Sequence, residues 1–375
     1  MVDVNDPERG HPRWTIASYV DGDEGRIVSL FERVFAKPMG RSESIQHWRW
    51  KFAANPVGPK VIELVWDADQ LVGQYAISPR KLRCNGAQQL GALSLDTMTD
   101  PDYGRQGIFT ASAEACYARL VEAGFTCVYG FPNANSIHGF EKRLSWQVVM
   151  PTPVLVKALD VGEFVADKLG RPGLGPLLSA ASRQVSRAPS LVDALAARLR
   201  GLEPLSVQVF DRFDAWADTL WTRCQAQHGA WVIRDHEFLA WRYDARPESD
   251  YLRLRVDGPD GEVAGYVVLA FAEREQGLCA FVMDLLVDLE VPGALASILH
   301  GVERHARARG CAFASAMAGP GSRYRQALLR QAYLPLPERL FPQELYFGVR
   351  VFGDSDGALL QPHSWQLSWG DIDVL

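Results

Sequence analysis

The segment WKFAANPVGPKVIELVWDADQLVGQYAI, beginning at Trp50, returns as WRYDARPESDYLRLRVDGPDGEVAGYVVL, beginning at Trp241. Trp50/Trp241, Phe52/Tyr243, Pro56/Pro247, Gly73/Gly265 and Tyr75/Tyr266 stay in register when the later hairpin carries one extra residue. Further on, Asp96 and Asp100 in SLDTMTDPDY are echoed by Asp284 and Asp288 in FVMDLLVDLEV. A repeat covering more than one supersecondary unit calls for two similarly folded halves, not a short-period array. The length of 375 residues, more than one typical core, agrees. The expected division is an N-terminal domain over 13–150, a helical connector or lid over 151–205, a C-terminal copy over 206–350 and a tail over 351–375.

Within the first half, VIELVWDADQLVGQYAISPRKLRC reads as a hairpin turning at DADQ. The stretch 93–120, LSLDTMTDPDYGRQGIFTASAEACYARL, reads as strand, loop and helix, with Pro101, Gly104 and Gly107 in the loop and Gly124 past the helix end. A buried strand at 127–131 follows, and Ser136 is placed to cap a helix carrying His138 to Leu144. Strands alternating with helices give an α/β (α+β) chain, each half a mixed sheet flanked by helices. The amides of the loop and of the helix start are unpaired donors, suited to phosphate oxygens. Gly107 presents no side chain there, and Arg105 adds a charge. Neither GxxxxGK[ST] nor GxGxxG is matched, so the two best-known phosphate loops are set aside.

PDYGRQGIFTAS, then CVYGFPNANS, then GFEKRLSW resemble, in order and spacing, the GNAT superfamily of acyl-CoA-dependent N-acyltransferases. The resemblance covers both halves. It implies that Tyr103, Gly104, Arg105, Gln106, Gly107, Ile108, Phe109 and Thr110 cradle the CoA pyrophosphate. It also implies that backbone at Met98 and Thr99 meets the oxyanion, and that Asn133 and Asn135 flank the pantetheine arm. Five positions depart from the family pattern: Gly104 stands for Gln or Arg, Phe109 for Gly or Ala, Ser145–Trp146 for Gly–Phe, and Phe140 for a Tyr acid. In the second half the turn reads DLEVPGAL, where Asp288 and Glu290 stand beside the amides and Pro292 removes a donor. Each carboxylate ~5 Å from a pyrophosphate would cost about 1 kcal/mol or more. One cofactor per chain, acetyl-CoA or a related acyl-CoA, is the expectation.

A primary amine of pKa ~10.4 is almost wholly protonated at neutral pH, so direct attack on a thioester calls for a base. Asp96 on the central strand is one candidate, though its echo at Asp284 leaves a structural role open. The tail HSWQLSWGDIDVL offers Asp371, Asp373 or the carboxylate of Leu375 as another, docked by its tryptophans. His138 is the nearest replacement for the Tyr acid. In IQHWRWKF, Trp48 and Arg49 are candidates for the acceptor pocket, while Trp50, echoed by Trp241, reads as core. The expected reaction is acetyl transfer to a small-molecule primary amine. Acyl or aminoacyl transfer in cell-envelope assembly and an inactive CoA-binding scaffold are the alternatives.

A formal charge of −6 spread along the chain argues against a nucleic-acid partner. No apolar run nears the ~18 residues of a membrane span, and the first residues do not read as a signal peptide, so a cytoplasmic protein is expected. The six cysteines are scattered without a CxxC or a metal-ligand spacing, and read as buried thiols with no metal site. Nothing in the sequence fixes an oligomeric state.

Overall fold

The two halves of the sequence fold into two mixed sheets, each flanked by helices, in a computed structural model that describes residues 13–36, 42–336, 344–353 and 357–372. In chain order the first part supplies β1 (Thr15–Ser18), α1 (Glu24–Phe31), α2 (Ile45–Trp48), β2 (Val61–Asp67), β3 (Gln70–Cys84), β4 (Ala87–Thr99), α3 (Ile108–Glu122), β5 (Phe125–Gly130) and α4 (Ile137–Leu144). Then come β6 (Gln147–Pro151), β7 (Val154–Ala158), α5 (Gly162–Lys168), α6 (Gly175–Leu199), β8 (Val207–Val209), α7 (Trp216–Cys224), β9 (Ala230–Val232) and α8 (His236–Leu239). The chain closes with β10 (Leu252–Asp257), β11 (Val263–Arg274), β12 (Gly277–Val287), α9 (Ala294–Ala308), β13 (Phe313–Met317), α10 (Arg325–Arg330), β14 (Leu334–Pro335) and β15 (Tyr346–Val351).

Among the described residues, one compact unit takes those up to 81, 89–147 and 348–353. The other takes 82–88, 148–347 and those from 357 on. In the first, strands neighbour in the order β1-β2-β3-β4-β5-β15, and in the second β8-β10-β11-β12-β13-β7-β14. Each sheet has antiparallel hairpins followed by one parallel pair, β4 with β5 and β12 with β13. The helix that crosses over in each pair, α3 or α9, buries one face on its own sheet. In α9 this is Ala294, Ile298, Val302 and Ala306, a repeat of four residues suited to an α-helix.

The unit boundaries differ from the expected ones in two ways. β7 lies in the second sheet against β13, so the segment 151–205 is connector only from α5 onward. β15, expected as the end of the C-terminal copy, pairs with β5 in the first sheet through Gly348↔Gly130 to Val351↔Cys127. Each sheet is therefore completed by a strand from the other half of the sequence. An antiparallel strand needs no crossover helix, so such an exchange asks little of the chain.

Local bonds repeat between the halves. α2 and α8 are capped by Ser44 and Asp235 side chains, and each runs on into a π-turn, Arg49–Ala53 and Ala240–Asp244. Arg33 bonds Asp100 at 2.9 Å and the Leu71 carbonyl at 2.8 Å. Arg223 does the same for Asp288, at 3.1 Å, and for the Val263 carbonyl. The Asp100 and Asp288 amides in turn bond Val72 and Ala264, both at 2.8 Å. That last pair keeps Gly73 with Gly265 but separates Tyr75 from Tyr266. Tyr75 faces α3 beside Tyr117, whereas Tyr266 faces Phe213 and Trp216 on the opposite face of its sheet. The apparent match is a one-residue slip, which in a strand reverses the face.

Candidate functional site

β4 and β5 pair from Leu90↔Phe125 to Leu93↔Tyr129 and then part. Beyond that point lies a cavity of about 140 Å³, lined by Ser94, Leu95 and Thr97 of β4, Gly130 of β5, and Phe140 and Trp146. Within β4, Asp96 takes φ 47°, a left-handed conformation that interrupts the pleat as a bulge does. Gln74 holds this bend by donating to the Asp96 carbonyl at 2.9 Å. Gly130 has no room for a side chain, since a Cβ would meet the Ser94 carbonyl at 3.2 Å and Trp146 at 3.4 Å. The Thr97 hydroxyl oxygen is buried without a hydrogen-bond partner, so the cavity wall holds an unsatisfied polar group.

Ser94 is the end of a string of hydroxyls that reaches back into the core. Ser94 Oγ lies 3.0 Å from the Tyr75 hydroxyl, which lies 2.6 Å from that of Tyr117, and the Trp146 indole donates to Tyr117 at 2.8 Å. An indole N–H only donates. Ser94 donates to the Tyr75 hydroxyl, so its O–H is held within the string and is not free for the cavity. Burial raises the pKa of both Tyr75 and Tyr117, so each keeps its proton. None of these four residues is a candidate site residue in the sequence, where Tyr75 and Trp146 stand out only for the repeat and the family pattern.

The loop after β4 leads into α3. Asp100, clamped by Arg33, accepts from the Asp102 amide at 3.2 Å and starts the 3-10 turn Pro101–Tyr103. Arg105 and Gly107 then take φ 64° and 81°, and a Cβ at Gly107 would meet nothing within 4 Å. Gly104, Arg105, Gln106 and Gly107 are all exposed. The first helical bond, Ala111 to the Gly107 carbonyl, leaves the amides of Ile108, Phe109 and Thr110 outside the helical ladder. Phe109 does not cover them: its ring turns inward onto Phe140, 5.1 Å away, and onto Gly139. Met98 is core, Thr99 is half-buried at the strand end, and the Tyr103 hydroxyl is engaged at 2.6 Å by Asp67.

Other expected residues sit elsewhere. The Asn133 side chain accepts from the amides of Asn135 and Ser136, both at 3.0 Å, so it closes the β5–α4 turn. The Ser136 hydroxyl is spent on Asn133 and makes no cap bond to α4. Asn135 and His138 are exposed. Trp48, expected in an acceptor pocket, is 1% exposed in a core cluster with Ile27, Leu30 and Phe31. Its counterpart in the repeat is Leu239, also core, so the position asks for bulk and not for recognition. Arg49 is largely exposed, 3.8 Å from Glu24. The six cysteines are all buried free thiols.

Asp96 is ion-paired. Its carboxylate meets Lys51 at 2.8 Å, and Lys51 also holds Glu43 at 2.6 Å, all three side chains being under 5% exposed. In the second unit Asp284 has an equivalent buried cation, Arg234 at 2.9 Å. We expect Asp96→Asn to lower the melting temperature, because a buried cation loses half of its compensation. A ~100-fold fall in turnover at unchanged melting temperature would instead assign Asp96 as the base.

The second unit has the same strand parting, and a side chain occupies it. β12 and β13 pair from Cys279↔Phe313 to Phe281↔Ser315 and then separate. Trp369 fills the gap, its ring 5.5 Å from that of Phe281 and its indole donating to Ser315 at 3.1 Å. Next to it Gly370 has no room for a Cβ, which would clash with the Tyr243 hydroxyl and the Met283 carbonyl. Asp371, expected as a base reaching the first half, is 1% exposed in the second unit and bonds Arg234 at 2.8 Å. Asp373 and Leu375 lie outside the described residues. At the loop of this unit, Gly293 repeats the left-handed cap with φ 83°, but the connector runs across it: Glu203 and Pro204 border the same cavity as Gly293. Asp288, expected to repel a pyrophosphate here, is clamped by Arg223 as Arg33 clamps Asp100.

Residues 15–149 match the family model described as "Acetyltransferase (GNAT) domain". No curated relative matches the chain. Among solved structures, a GCN5-related N-acetyltransferase from Anabaena variabilis superposes with a TM-score of 0.59 at 12% identity, over 90% of this chain and 72% of that one. A probable N-acyltransferase of unknown function from Enterococcus faecalis gives 0.58 at 11%, with 90% and 72% covered. Saccharomyces cerevisiae N-myristoyltransferase with bound myristoyl-CoA gives 0.58 at 10%, with 97% and 85% covered. At such identities these likenesses concern the fold.

Proposed function

We propose that the chain is an acyl-CoA-dependent N-acyltransferase with two tandem GNAT-like units, of which the first alone binds the cofactor. The observation that carries this reading is the coincidence of the matched family domain, 15–149, with the unit whose strand parting is open. The loop amides of Arg105 to Thr110, with the Arg105 side chain, take the CoA pyrophosphate, and the pantetheine arm runs into the parting between β4 and β5. Sites for drug-sized ligands measure roughly 300–1,000 Å³. A cavity of about 140 Å³ closed by Phe140 and Trp146 takes only the reacting end, which favours acetyl over a long acyl chain.

The acceptor is a primary amine. Its nitrogen attacks the thioester carbonyl, the new C–N bond forms, and the C–S bond breaks. The cavity lining contains no carboxylate and no imidazole, so the amine proton leaves through water. β4 backbone amides past Leu93, together with the Thr97 hydroxyl, face the developing oxyanion. The departing thiolate, whose thiol pKa is ~8.5, takes its proton from water in place of the missing Tyr acid.

Thiol release from acetyl-CoA against a panel of amines tests the reading, and a hit names the acceptor. Thr97→Val should lower kcat roughly 10²-fold with CoA affinity unchanged. Turnover untouched by Thr97→Val would remove that hydroxyl from the oxyanion site, and silence across the whole panel with CoA bound would leave a binding protein.

A further inference from the structure

α6 is amphipathic the wrong way round for a helix packed on a protein body. Its inward side is polar. Ser186 donates to the Leu159 carbonyl at 3.0 Å, Ser190 to Gln331 at 2.7 Å, and Asp193 accepts from Gln331 at 2.7 Å. Its outward side is apolar: Leu177, Val185, Leu191, Val192, Leu195 and Leu199 are between 59% and 81% exposed. Of the 14 large hydrophobic residues exposed among the described residues, these six plus Leu169 and Leu174 make eight within one hairpin of α5 and α6. The spacing 185, 192, 199 with 188 and 195 between keeps the stripe on one face over four turns. α5 packs closely against the start of the helix. A Cβ on Gly162 would fall 1.9 Å from the Ser179 backbone, and one on Gly175 2.3 Å from Glu163.

Arginines line one flank of the stripe. Arg187 and Arg198 lie 120° and 140° round the helix from Asp193, counting 100° per residue, and Asp193, the lone acid of the helix, points inward, while Arg183 is paired with Asp160 at 2.8 Å. We propose that α6 is an interfacial helix that seats the protein on an anionic lipid bilayer, the leucines and valines entering the acyl boundary and the arginines meeting the headgroups. No helix among the described residues is long and apolar enough to cross a membrane, so the association is peripheral. Charge decides against a second copy as the occupant. Two such helices joined along their stripes would oppose arginine flanks with no acid on either to answer them. The proposal is independent of the acyltransferase reading.

The full chain should co-sediment with vesicles containing phosphatidylglycerol, weakly or not at all with pure phosphatidylcholine, and progressively less as salt rises. Val192→Glu with Leu195→Glu should reduce binding more than tenfold, and Arg187→Glu roughly fivefold. Because these side chains are exposed, the melting temperature should not move. Absence of binding to the anionic vesicles, or equal binding to both lipids, overturns the proposal. A concentration-dependent dimer in sedimentation equilibrium that Val192→Glu with Leu195→Glu dissolves would overturn it too, in favour of a second copy.

Discussion

Gly107→Glu should weaken CoA binding by roughly 100-fold, whereas Gly293→Glu should leave it near normal. A carboxylate ~5 Å from a pyrophosphate costs about 1 kcal/mol per facing charge in water and more near a protein surface, and the pyrophosphate presents two. The comparison is internally controlled. Both glycines cap a fifteen-residue helix in the left-handed region, at φ 81° and 83°, so both substitutions meet the same backbone penalty. Gly107→Gln carries that penalty without the charge, and the ratio of the Glu and Gln variants isolates the electrostatic part. Calorimetric titration should give one site per chain for the wild type. Two equivalent sites, or a Gly107→Glu variant that still binds tightly, would end the one-cofactor reading.

The part of this site that was legible in the sequence is the part fixed by local chemistry. The left-handed cap at Gly107 and the unpaired amides behind it follow from a glycine placed just before an amphipathic run. The repeat disclosed two sheets, because the pairs Trp50/Trp241 and Asp96/Asp284 sit on elements that recur in both units. What the sequence did not disclose depends on contacts distant along the chain. The echo at Trp241 marks Trp50 as core, but nothing comparable marks Trp48, and only packing shows that it too is buried. The roles of Ser94, Tyr75 and Tyr117 come from hydroxyls 19 to 42 residues apart. Asp288 looked like a repelling charge because its partner, Arg223, lies 65 positions upstream. The difference between the units, on which the proposal of one cofactor rests, comes from what lies across the second one: the connector at its loop and Trp369 in its parting.

That second parting makes Arg234→Met the substitution with the largest expected effect on stability. Arg234 is 2% exposed and holds two carboxylates, Asp284 at 2.9 Å and Asp371 at 2.8 Å, and it also bonds the Ser368 hydroxyl and the Val232 carbonyl. Removing the cation leaves two buried acids facing one another, a loss of about 3–5 kcal/mol. For a unit of this size that is a fall of roughly 6–20 °C in melting temperature. The loss should depend on pH in a definite direction. Burial raises the Asp284 pKa, with Arg234 opposing the rise and Asp371 adding to it. A raised folded-state pKa favours folding at low pH and loses that contribution as pH climbs through it. Without Arg234 the pKa rises further, so the variant gains more than the wild type as pH falls from 7 towards 5, and the gap between them should narrow. A gap constant across that window would assign the loss to packing alone. The same variant also separates the two roles of Asp371. If that carboxylate served as a base, Arg234→Met would abolish turnover well below its melting point. With Asp371 as an anchor for Trp369 in the second unit, turnover per folded molecule should stay within a few-fold of the wild type.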